Sequence, residues 1–528
     1  MADITKFDDM DWNRFSNNVM QHSEHNITQM KTLLNKTGCG MCLAKFKQVT
    51  MHLGTGMTHS CHHPSPHKIS LDELKDSSHA LFNTSVLKTA RKQMLNNEKP
   101  SECDYCWRVE DDGGNSDRFF KSLENWASDG YDDVVKLTGE ENIYPSYLEV
   151  SFSNACNLKC TYCGPEFSSK WAEELKLHGP IKLAEDTKVA ETVHAQHDLK
   201  NLVYKKREHN PYVEAFWDWF PSALPHLKHY RITGGEPLMS KDTFKSMRWL
   251  IDNPNTEVEF SVNSNLSVPD KLWNMFVELL TEMRDKKVVK KITVYTSVEG
   301  WGERAEYART GLNFELLKER TEQIAAMDDV RISIMSAFNI LSITSFKPML
   351  EWVLYLKKKY TPMGTSETNL FADTGHKPKG FDIDAILAHQ ERNSTLSNIS
   401  VSLDIPYLRW PGWMDVHFCT EDLFQDYLLD TIKFMANNVS SDIWSTEIGF
   451  LNVELEKLKR IVTHRAYYNR ASRPEREGHN DIREGRAKFY DYVNELDNRR
   501  GTNFLEVYPE MSNFYDVCKL AKESFENG

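Results

Sequence analysis

From Tyr147 onward the chain alternates short β-like runs with helix-length amphipathic stretches, and this rhythm limits the possible folds more than any other feature. Residues 147–152 (YLEVSF) alternate with period two, and 229–233 (HYRIT), 257–262, 291–297 (KITVYTS), 330–337 and 399–405 (ISVSLDI) read as further strands. Helix-period stretches at 241–251, 270–283, 314–327 and 346–360 separate them. Strands divided in this way predict a parallel α/β sheet with right-handed crossovers. Chemistry in such sheets gathers at the C-terminal ends of the strands. The unusual residues of this chain stand there: a cysteine-rich loop at 153–165, Gly234-Gly235-Glu236-Pro237, Asn263-Ser264-Asn265 and Val298-Glu299-Gly300.

At 528 residues the chain exceeds one ordinary core, and about 150 residues per domain suggests three to four lobes. The expected division is a helical segment at 1–38, a cysteine-rich metal lobe at 39–125, the α/β unit at 145–410 and a helical region at 411–528. Two insertions interrupt the α/β unit: 182–210 is charged and helix-prone, and 361–398 is rich in Gly, Pro, Asn and Ser, as expected of a substrate-facing loop. A net charge of −13 disfavours broad nucleic-acid binding. No run of about 18 apolar residues predicts a membrane span. Met1 to Met10 show no signal-peptide pattern, so a cytoplasmic location with reduced thiols is expected.

Eight of the ten cysteines fall in the first third of the chain. Cys156, Cys160 and Cys163 have C-x3-C-x2-C spacing on one short loop, where three thiolates can bind three irons of a cubane and leave the fourth open. Sulfur ligands favour iron–sulfur or zinc over magnesium or calcium. A structural zinc site wants four protein ligands, and no fourth lies nearby in sequence. Three structural thiols are the bland alternative.

A strand, this loop, a second strand and then Gly-Gly-Glu-Pro together resemble the radical S-adenosylmethionine (SAM) enzymes. The resemblance implies a partial (β/α)6 barrel and a [4Fe-4S] cluster on Cys156, Cys160 and Cys163, with SAM on the open iron. It implies reductive cleavage of SAM to a 5′-deoxyadenosyl radical that abstracts a substrate hydrogen. Tyr162 would lie beside the adenine, Gly234 and Gly235 would let the backbone approach the methionine end, and Glu236 would accept from its ammonium. Ser297-Val298-Glu299-Gly300 resembles the S-[LIV]-D-G sequence of peptide-modifying members, with Glu299 in place of Asp. By that resemblance Ser297 and Arg309 would hold the SAM carboxylate or ribose. Asn263 and Asn265 stand where the family often has a T-N-G turn, or are plain turn residues.

The N-terminal cysteines admit two readings. Cys39 and Cys42 with Cys103 and Cys106 form a zinc-ribbon pattern, in which His62 and His63 could substitute. Beside the α/β unit, the segments around Cys42, Cys61 and Cys103-Asp104-Tyr105-Cys106 resemble the twitch and SPASM modules of radical SAM enzymes. That resemblance implies one auxiliary [4Fe-4S] cluster on Cys42, Cys61, Cys103 and Cys106, with Cys39 left over. The module precedes the barrel here, whereas in most members it follows; this order resembles the twitch-domain radical SAM proteins of tailed phages, for which the location would be the host cytoplasm. His52, His59, His62, His63 and His67 cluster in the same stretch and read first as polar hairpin residues, and Trp107 as packing.

The implied function is an oxygen-sensitive radical SAM enzyme acting on a peptide or protein, with a low-potential donor such as flavodoxin or ferredoxin. RNA or a small metabolite is the alternative substrate. A zinc-stabilised binding scaffold without catalysis is the alternative of another class. Asp404, on the face of its strand opposite Leu403, is a candidate base or substrate ligand, or an inward structural carboxylate. Cys419 and Cys518 read as buried thiols, and Lys205-Lys206-Arg207 and Arg499-Arg500 as solvated charge. No P-loop, zincin or serine-hydrolase motif is present.

Overall fold

The structure, a computed structural model, describes residues 24–184, 204, 208–361, 400–408, 410–440, 448–470 and 482–526. Most of the two insertions, and the Lys205-Lys206-Arg207 run, lie outside the described residues.

The chain is a mixed α/β structure built on a parallel sheet. Strands β1 (Gln48–His52), β2 (Met57–His59) and β3 (His67–Lys68) come from the cysteine-rich segment; β4 (Tyr147–Ser151), β6 (His229–Thr233), β7 (Asn255–Ser264), β8 (Val289–Ser297), β10 (Val330–Met335) and β11 (Val401–Asp404) follow. The sheet runs β11-β10-β8-β7-β6-β4-β1-β2-β3. From β4 to β11 the strands are parallel and laid down in chain order. Each therefore returns in the same direction through a helix, such as Lys241–Asp252, Asp270–Asp285 or Phe314–Ala325. Val, Ile, Leu and Phe fill most of the buried positions of these strands, as a sheet covered by helices requires.

Two features were not expressed in the strand pattern. Strand β1 pairs in parallel with β4, Thr50 opposite Glu149 and His52 opposite Ser151, so the cysteine-rich segment extends the same sheet. A second, two-stranded sheet pairs β5 (Lys159–Cys160) antiparallel with β9 (Arg309–Thr310). It ties the cysteine loop to the segment after β8.

The registers bring the strand ends into line. Ser151 faces Thr233, Ser264 faces Thr296, and Met335 faces both Ser297 and Asp404. All the loops with unusual residues thus emerge at one edge.

The C-terminal helices pack against this body. Lys357 of Phe346–Tyr360 and Glu454 of Asn452–Arg470 form an ion pair of 2.9 Å with both side chains at most 3% exposed. Glu454 also accepts from the backbone N–H of Leu403 on β11 at 2.7 Å and of Leu451 at 2.8 Å. A carboxylate with three donors offsets much of its desolvation, but deleting it strands a buried ammonium and two amides. E454A is expected to lower stability by about 3–5 kcal/mol, whereas K357M, which leaves both amides paired, should cost less. Chemical-denaturation midpoints check this order.

Candidate functional site

The loop 153–165 is held from three sides. The Cys160–Arg309 pairing places Thr161 N–H on Ala308 O at 2.8 Å. Asn157 donates to Ser267 O and accepts from Asn265 Nδ2, both at 2.9 Å, which fastens the loop to the turn after β7. Ser168 Oγ donates to Leu158 O at 2.7 Å, and the Trp171 indole donates to Cys160 O at 2.8 Å. The third side is the helix Ile482–Arg500: Tyr492 Oη donates to Thr161 O at 2.5 Å, and Arg500 binds Glu174, Thr310 and the face of Trp171. Arg499 and Arg500 are thereby corrections to the expectation of solvated charge: their side chains are 3% and 2% exposed, with Arg499 donating to Gly179 O at 2.9 Å and Arg500 closing the loop's outer side.

Cys156 and Cys160 are buried and Cys163 is half-buried; all ten cysteines of the chain are free thiols. Burial pushes the Cys156 thiol up to about 12, with Cys160 adding to the effect. Burial also raises Cys163 well above the ordinary thiol range, again with Cys160 and then Cys156 opposing its charge. Burial also raises Cys160, although Arg309 draws it back. Thiols so strongly protonated are poor nucleophiles at neutral pH. A bound cation would reverse that balance, because metal ligation deprotonates thiols outright. Three soft donors on one short loop therefore suit a thiophilic metal better than covalent catalysis.

Gly234 and Gly235 press the turn after β6 against the same loop. Gly234 has φ +126°, and a Cβ there would stand 2.4 Å from Ser151 Oγ; one on Gly235 would stand 2.5 Å from Ala155 O. Only glycine allows this approach. Glu236 N–H donates to Ala155 O at 2.7 Å, and its side chain, 1% exposed, accepts from Ser264 Oγ, Asn265 N and Leu238 N at 2.7–3.0 Å. Glu236 thus joins the ends of β6 and β7.

Arg309 donates from Nε and Nη2 to the two oxygens of Glu299 at 2.5 and 2.6 Å, and from Nη1 to Cys160 Sγ at 3.6 Å. Its guanidinium lies 5.5 Å from the centre of the Tyr162 ring. Two of its nitrogens are therefore committed to Glu299. Ser297 is half-buried at the end of β8. Asp404 pairs with Lys457 at 2.6 Å.

Four of the five N-terminal cysteines share one cavity. Cys42, Cys61, Cys103 and Cys106 line one cavity together with Lys45, Trp107 and Arg118. Burial raises all four thiols: Cys61 and Cys106 to about 12, Cys103 to about 11, and Cys42 likewise upward. Cys39 stands outside, exposed, with its thiol donating to Asn97 O at 3.4 Å. Lys45, 2% exposed, pairs with Glu102, and Arg118 binds Glu110 at 2.7 Å and Met41 O at 2.9 Å. Sequence spacing gave no signal for these two cations, because neither lies in a motif. His52 and His59 meet at 3.1 Å, and His59 Nδ1 reaches Cys61 O at 2.5 Å; His67 contacts Thr84 Oγ1 at 2.9 Å. Trp107 is 5% exposed and donates to Pro100 O. Cys419 and Cys518 are buried.

No protein-family model matches the chain, and no curated protein matches it in sequence. Among solved structures, Streptococcus suis SuiB bound to S-adenosylmethionine is 13% identical, covers 68% of this chain and 72% of its own, and has a TM-score of 0.30. A second structure of SuiB is 14% identical, covers 72% and 76%, and has a TM-score of 0.27. Likeness at that level assigns no residue and no activity to this chain. No helix among the described residues is long and apolar enough to cross a membrane.

Glu236 gives the site a pH signature. Burial raises its carboxyl from the usual 4.5 to about 7, despite its three donors. The folded chain therefore holds this proton more tightly than the unfolded chain, and the associated stability, complete below 4.5, is lost as pH rises through about 7. Metal-free E236Q is expected to lack that decline. Denaturation of both proteins between pH 5 and 8 checks it; parallel profiles would contradict the assignment.

Proposed function

We propose that the chain is a radical SAM enzyme in which Cys156, Cys160 and Cys163 hold a [4Fe-4S] cluster with one iron open to S-adenosylmethionine. The observation that carries this reading is a single loop with three free thiols, two buried and one half-buried, set against the Gly234-Gly235 turn at the C-terminal edge of a parallel sheet. When bound, such a cluster supplies an electron that cleaves the sulfonium carbon–sulfur bond and starts radical hydrogen abstraction.

The chain's own residues prepare that chemistry. The loop's hydrogen bonds fix the thiols before metal arrives, so little ordering remains to oppose ligation. Arg309 Nη1–H lowers the cost of a thiolate at Cys160 and, held by Glu299, cannot swing away. Gly234 and Gly235 leave room for the methionine end, Tyr162 flanks the adenine and Ser297 offers a hydroxyl to the nucleotide. Glu236 keeps the turns after β6 and β7 at one spacing and presents any remaining lone pair to the ammonium.

Cys42, Cys61, Cys103 and Cys106 are proposed to hold an auxiliary [4Fe-4S] cluster, with Lys45 and Arg118 offsetting its negative charge. Zinc is the second reading, favoured by the same closed set of four thiols. The substrate class that accords with the N-terminal module is a peptide or protein, with a low-potential flavodoxin or ferredoxin as donor.

Anaerobic reconstitution tests the proposal. About eight irons per chain are expected, at four per cubane, with 5′-deoxyadenosine released from SAM under dithionite. Replacing Cys156, Cys160 and Cys163 with Ala should leave about half the iron and abolish product, again at four irons per cubane. C61A should lose about half the iron while C39A keeps all of it, on the same count. Stoichiometric zinc without iron or SAM cleavage would establish the scaffold instead.

A further inference from the structure

His62 and His63 follow Cys61 directly in the chain, and Asp117 opens the helix Asp117–Leu123. Both imidazoles present Nε2 to one carboxylate oxygen, Asp117 Oδ2, at 3.1 and 2.7 Å. The three potential ligand atoms all lie within 4.8 Å of one another. Around a tetrahedral ion with bonds of about 2.0–2.1 Å, neighbouring ligand atoms stand about 3.3 Å apart, so small side-chain motions suffice to admit an ion. The His63 ring is held by stacking on Tyr105, with centroids 3.8 Å apart and planes at 14°. The three residues line the same cavity as the four thiols, yet as nitrogen and oxygen donors they form a chemically different set.

We propose that His62, His63 and Asp117 form a binding site for a divalent first-row metal ion at the rim of the four-cysteine cavity. Two imidazoles and one carboxylate suit zinc or ferrous iron better than magnesium or calcium. Three protein ligands leave a coordination position for water or for a donor atom of an incoming molecule.

The test uses the full-length protein, loaded anaerobically with iron and sulfide, cleared on a chelating resin and given zinc chloride. Zinc retained after desalting is counted, and zinc-edge X-ray absorption reads its ligands. Nitrogen and oxygen at about 2.0–2.1 Å are expected, against sulfur at about 2.3 Å for zinc in the cysteine cavity. D117N and H62Q should each reduce retention at least about tenfold, since losing a direct ligand costs no less than losing an outer-shell partner, with iron content unchanged. Where the cysteines take zinc instead of iron, the sulfur-bound ion should survive H62Q while the nitrogen- and oxygen-bound ion is lost. If D117N also loses iron, H62Q decides, because its side chain is 56% exposed and supports little else. No retained zinc, a sulfur shell alone, or retention unaffected by H62Q would overturn the site.

Discussion

On β9, beside the loop that follows β4, a buried guanidinium sits with a carboxylate on one side and a thiol on the other. Arg309 and Glu299 neutralise each other through two parallel hydrogen bonds, and the remaining nitrogen faces Cys160. Separating such a pair costs about 3–5 kcal/mol because the survivor stays buried and unpaired. The contact therefore fixes more than two side chains. It sets the β5–β9 register, which carries the cysteine loop across the end of the sheet, and the Glu236 brace then aligns the turns of β6 and β7 beneath it.

The two thiol centres share one constraint and differ in how charge is offset. Burial raises the thiols of both sets, so a metal bound at either would have to displace their protons. The three-cysteine loop has beside it a cation already balanced by Glu299. The four-cysteine cavity has Lys45 and Arg118, each sharing a carboxylate. Strand β1 connects the two regions through backbone pairing with β4. At its end His52 packs edge-on to Phe167 and contacts His59, which reaches the carbonyl of Cys61.

Much of this was legible because it follows short-range rules. Period-two runs at 229–233 and 291–297 mark β6 and the body of β8, and the unusual residues after each strand fall at one edge because parallel strands must. The three-cysteine loop and the glycine pair were readable as motifs. Other features depend on residues distant in sequence. Nothing near Lys159 announces an antiparallel partner at Thr310, and nothing in Gln48–His52 distinguishes a hairpin strand from the seventh parallel member of a sheet. Arg500 read as solvent-facing because its acceptor, Glu174, lies over three hundred residues away. Asp117 was invisible for the same reason: its histidines are 55 and 54 positions upstream.

The central claim is that three sulfurs hold an iron cluster whose last corner is free for a ligand from outside the chain. Electron paramagnetic resonance of the dithionite-reduced C42A/C103A protein, which retains the three-cysteine loop alone, tests it most directly. Adding S-adenosylmethionine is predicted to shift the g-values of the reduced cluster, while S-adenosylhomocysteine, lacking the sulfonium charge, gives a different spectrum. A loaded cluster whose spectrum ignores both nucleotides would contradict the account.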